Sequence, residues 1–143
     1  MLRFFALLFV AFSSPAMAQV SAEFRGVWIV AADEAAARCT AKDWKENRSD
    51  VMVLISPKSV QGWEHACDIR RVRKVDENAA EIDMQCAGEG MTWSVREYWH
   101  AQTIGGRKQL VTVELSRDTR DGSKRVAPPP GPQRRVMIHL ACQ

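Results

Sequence analysis

Beyond residue 18 no apolar run approaches the roughly 20 residues that a membrane-crossing helix needs, so no membrane span is expected. There is no Cys-x-x-Cys pair, and His65-x-Cys67 is too common a spacing to stand for a metal site. A redox or metal role is therefore without support. No nucleophile elbow accompanies the histidines His65, His100 and His139. Gly88-Glu89-Gly90 is a tight connector that lacks the helix and lysine of a phosphate loop. No repeat is visible. Charge is not in marked excess either. Twenty Lys and Arg face 17 Asp and Glu, for a net charge of +3, which gives no reason to expect nucleic acid. No catalytic residue, cofactor or metal ligand is assigned on these grounds.

What is present begins with residues 1–18, which read as a secretory signal peptide. Arg3 gives a positive start, and Phe4–Phe12 is an apolar run of about nine residues. Ser13-Ser14-Pro15-Ala16-Met17-Ala18 follows, with small residues at an Ala-x-Ala cleavage site. No cysteine follows that site to carry a lipid anchor. The expected product is one domain, residues 19–143, free in the periplasm or secreted, and monomeric. All four cysteines (Cys39, Cys67, Cys86 and Cys142) lie in it, bound for an oxidising compartment.

Short β-branched and aromatic segments recur along this part. Phe24–Ala31, Val51–Ser56, Val60–Arg73 with a bulge at Gly62, Ala79–Cys86, Met91–Ile104, Gln109–Ser116 and Arg135–Cys142 all read as strands. Ala32–Arg38 favours a short helical turn, and Thr40–Asp50 reads as a loop with Trp44 as anchor. Arg117–Gln133, charged first and then rich in proline, reads as a long exposed loop. Little helix and short connections predict an all-β fold, a small antiparallel meander barrel of roughly six to eight strands.

Register sharpens this. About a turn at Asp76-Glu77, Cys67 falls opposite Cys86, Ile69 opposite Met84 and Arg71 opposite Ile82, with His65 and Trp63 continuing the same face. Cys67–Cys86 is then the favoured bridge. Cys39 is left with Cys142, which would fasten the first strand to the last. At Gly105-Gly106 a two-residue loop would set Val111 opposite His100 and mismatch the faces. A three-residue loop including Arg107 pairs Val111 with Ala101 and Val113 with Trp99, and is preferred. It places Glu97 on the inner face with Trp93, Val95 and Trp99.

Candidate sites are few. The tryptophans Trp28, Trp63, Trp93 and Trp99 are either core or the lining of an apolar-ligand cavity. Met137-x-His139 supplies two copper(I)-type ligands without a third. Arg70-Arg71-x-Arg73-Lys74 reads as a solvated strand end, or as a contact for an anionic envelope polymer. In Arg117–Gln133, Arg117, Arg120, Lys124 and Arg125 are candidates for an interaction loop that meets a protein or such a polymer.

Gly26-Val27-Trp28 on the first strand resembles the G-x-W of lipocalin and calycin barrels, among them small exported bacterial protease inhibitors. The wider pattern adds Glu64-x-x-Cys67-x-Ile69, Cys86-x-Gly88-Glu89-Gly90, a first Cys and one near the C-terminus. It resembles a group of small exported bacterial proteins with four cysteines, and that resemblance transfers no catalytic residue. The function expected is a non-enzymatic binding or interaction module of the cell envelope, inhibitor-like in shape. The alternatives are a small-ligand carrier with a Trp-lined interior, and a hydrolase built from His100, Glu97 or His65.

Overall fold

The computed structural model describes residues 18–31, 39–46, 49–127 and 135–143. Residues 1–17 of the expected leader, the expected helical turn at 32–38 and the proline run at 128–130 lie outside them. The strands are β1 (Gly26–Val30), β2 (Met52–Ile55), β3 (Ser59–Gln61), β4 (His65–Lys74), β5 (Ala79–Gly88), β6 (Met91–Ile104), β7 (Arg107–Asp121), β8 (Lys124–Val126) and β9 (Val136–Ala141). A 3₁₀ turn (Ala22–Phe24) precedes β1, and one helical turn, α1 (Asp43–Glu46), precedes β2. From β1 to β7 each strand pairs antiparallel with the next. β7 also pairs with β9, and β9 with β1, so eight strands close into a barrel. β8 is the additional strand, paired to β7 beyond the reach of β9.

The end bearing the 3₁₀ turn, taken as the lower end, is plugged. Phe24 meets Trp99 edge to face, with ring centroids 5.8 Å apart. The Trp28 indole Nε1 donates to the Phe24 carbonyl at 2.8 Å. The Arg25 guanidinium donates to the Val20 carbonyl at 2.7 and 2.9 Å. Trp28, Trp99, Phe24, Ile82 and Leu110 are all fully buried here, so this half of the barrel is solid.

A second cluster sits outside the barrel. Val27, Ile29 and Met52 face away from the interior and are covered by Trp44 of α1 and by Cys39. β1 and β2 are thus buried on both faces. That is why their sequences are continuous apolar runs rather than alternating ones. Both disulfides form as the register predicts, Cys67–Cys86 inside the barrel and Cys39–Cys142 across the β1–β9 closure.

Four expectations are corrected. The single strand Val60–Arg73 is two, β3 and β4. They are separated at Gly62–Glu64 by a turn in which the Gly62 N–H donates to the His65 carbonyl. A bulge after Ile69 then shifts the register, so Arg71 faces Asp83 and Val72 faces Ile82. The β6–β7 turn has two residues, not three. Gly105 and Gly106 both take positive φ (59° and 78°), and Ile104 pairs with Arg107. Val111 does lie opposite His100, on the outer face. The mismatch that argued against this register is resolved because Leu110, Thr112 and Glu114 are the buried, inward side chains of β7. Finally, Arg117–Gln133 is not a loop in its first part. β7 runs to Asp121 and turns back into β8, and their charges pair on the outer face instead of repelling. Asp118 accepts from Arg125 at 2.8 Å and lies 3.7 Å from Arg120.

Candidate functional site

The upper half of the barrel differs from the lower. On the inner wall β6 carries Trp93, Val95, Glu97 and Trp99, and β7 carries Thr112, Glu114 and Arg117. Residues 114 and 117 would face opposite ways in a regular strand. A bulge brings them together. Glu97 pairs with Glu114 and Arg96 with Ser116, leaving Leu115 unopposed, and the register flips beyond it. Arg117 therefore turns inward and donates to Glu114 Oε2 from Nε and Nη2, at 3.0 and 2.7 Å.

Glu97 and Glu114 are cross-strand partners, two carboxylates side by side on the inner wall. Glu114 has the Arg117 guanidinium. Glu97 accepts from the Trp99 indole Nε1 at 2.7 Å. Burial raises the Glu97 pKa, the indole hydrogen bond works against that, and the charge of Glu114 adds to the rise.

Above the acid pair lies an aromatic rim. The Arg117 guanidinium sits 5.5 Å over the Trp93 ring, and the His65 ring centroid is 6.1 Å from that of Trp93. His65 is held in place by two glycines. A Cβ on Gly62 would run into its imidazole, and one on Gly88 would meet the Glu64 carbonyl at 2.6 Å and His65 Cβ at 2.8 Å. Burial, then the nearby Arg117, lowers the His65 pKa, while Glu89 opposes the shift.

On β9 the inward His139 lies between Val30 and Leu110. The residue is 6% exposed, and its Nδ1 has no hydrogen-bond partner. Burial alone pushes its pKa down to about 4, so the ring is neutral at physiological pH.

The residues singled out from sequence are scattered. Trp28 and Trp99, each 1% exposed, are packed into the core. Trp93 is at the rim, and Trp63 stands outside the strands, 53% exposed. Arg117 points inside, Arg120 and Arg125 flank Asp118 on the outer face, and Lys124 begins β8. Glu97 and His100 lie on opposite faces of β6, so those two do not share a site; His65 is on β4, two strands from β6, beside Trp93. Within the basic run, Arg70 pairs with Asp68 and Arg73 with Glu81. Among the described residues no group of three His, Cys, Asp or Glu is placed to hold a metal ion. Sequence reading missed Glu114 as a site residue. The Glu-x-x-Arg spacing signals a same-face pair only once the bulge is known. No family model, curated protein or solved structure matches this chain.

Proposed function

We propose that the protein is an exported binding module whose site is the upper cup of its barrel. The observation that carries this is the inward wall of Glu97, Glu114 and Arg117 above a lower half packed solid with apolar rings. Burying two facing carboxylates costs several kcal/mol more than filling the same space with apolar side chains. A barrel that needed only to fold would have the apolar filling. The inward residues Val30, Val53, Trp93 and Glu97 keep part of their surface accessible, as the lining of a cup would. Two disulfides and the leader-like first residues support export. The resemblance of Gly26-Val27-Trp28 to calycin barrels fits a site at one end of a closed sheet.

The test is an NMR screen of the protein against mixed small molecules. Binding in the cup moves the indole N–H resonances of Trp93 and Trp99 and leaves the β7–β8 hairpin unmoved. Shifts confined to Arg120, Lys124 and Arg125 would overturn the cup and return the activity to the charged hairpin.

A further inference from the structure

The cup is short of one positive charge. Two carboxylates face each other across β6 and β7, and one guanidinium lies between them and the rim. Arg117 binds Glu114 with two N–H groups, and both hydrogen bonds end on that carboxylate. Glu97 has Ile82 on its other flank and takes one indole N–H from Trp99; the Arg117 charge reaches it only through space, and there the charge of Glu114 outweighs it. A carboxylate removed from water is ordinarily matched by a cation or by several N–H donors. His139 is a second, independent polar group on the inward face that lacks its full set of partners. It faces the same lumen, is almost wholly buried, and leaves one ring nitrogen without a partner. His65 beside Trp93 is shifted toward its neutral form and adds little repulsion.

We infer that the cup takes a small organic cation, an ammonium or guanidinium on a short apolar stem, with Glu97 as the carboxylate that receives it. The stem would run along Val30 and Val53, the accessible apolar part of the inner wall. This rests on the cup being the binding site, as proposed above. A metal ion is the poorer occupant, because no three ligating side chains converge among the described residues.

Three probes of similar size test it, n-butylammonium, n-butanol and n-butyrate, each titrated into the mature protein. The Trp99 indole N–H resonance is followed because that group touches Glu97 directly. The expected result is that butylammonium moves it and binds at least about ten-fold more tightly than butyrate, the preference a neighbouring carboxylate supplies. Glu97→Gln should lose that preference while its thermal midpoint does not fall below that of wild type. Butanol or butyrate binding in the cup as tightly as butylammonium would overturn the cation and leave the cup standing. So would a Glu97→Gln protein that keeps the preference. If none of the three moves the Trp93 or Trp99 indole resonances, the cation is overturned, and the cup is then decided by the mixed screen above.

Discussion

His139 ties stability to pH through one side chain. Its folded pKa of about 4 lies below the ordinary 6.5 because burial disfavours the imidazolium. Above pH 6.5 both states are neutral and the residue contributes nothing. Between 6.5 and 4 the unfolded chain takes up a proton that the folded chain refuses, so stability falls as pH falls, by about 3 kcal/mol in all. Glu97 acts with the opposite sign. Its raised pKa lets the folded state bind a proton before the unfolded one does, which adds stability as pH falls toward 4.5. The difference in urea midpoint between pH 7 and pH 4 should shrink in His139→Gln and widen in Glu97→Gln.

The two glycines around His65 should behave unequally. Gly88→Ala meets backbone at Glu64 and should cost about 1–3 kcal/mol in a thermal melt. Gly62→Ala meets only the ring of His65, which can swing away. It should cost less, and the Trp93 emission should change as its neighbour leaves.

At the scale of elements, the β6–β7 hairpin turns on Gly105-Gly106, both in the left-handed region. Alanine at either position should cost about 1 kcal/mol in urea unfolding. The same turn marks where sequence reading succeeded and where it did not. Period-2 alternation is strong in β4 and β5, so the Cys67–Cys86 and Ile69–Met84 pairs were legible. In β7 the buried set is Leu110, Thr112 and Glu114, and the outward set includes Val111 and Val113. Hydrophobicity there points to the wrong face, so the register was misread and Glu114 was overlooked. The β-bulge at Leu115 has no sequence mark of its own. The preferred pairing does hold beyond it, where Arg96 meets Ser116. The β7–β8 hairpin was hidden for a related reason. Its charges read as a solvated loop, but cross-strand pairing of Asp118 with Arg125 lets such a sequence form strands.

For the molecule as a whole, two covalent links hold a barrel whose interior is half apolar plug and half lined by Glu97, Glu114 and Arg117. Cys67–Cys86 spans 19 residues and Cys39–Cys142 spans 103. In the chain-entropy account these are worth about 3 and about 5 kcal/mol. Replacing both members of each pair by serine should lower the urea midpoint in that order, with Cys39→Ser/Cys142→Ser the larger loss. Near-equal losses would indicate that the reduced chain keeps the two ends of the barrel close together.

The β1–β9 seam also has a meaning in time. Every other joint in the barrel lies between strands that are near neighbours along the chain, but this one waits for segments about a hundred residues apart to meet. Such a search is slow, and until it ends the Ile29 and Leu140 faces stand open to solvent. A Cys39–Cys142 bond made early would turn that search into a short-range one, since the two segments would already be tethered. Stopped-flow refolding of the chain with this bond intact should therefore outpace the Cys39→Ser/Cys142→Ser variant. The folding limb of the chevron should carry most of the difference. A difference confined to the unfolding limb would mean that the seam closes only after the barrier is crossed.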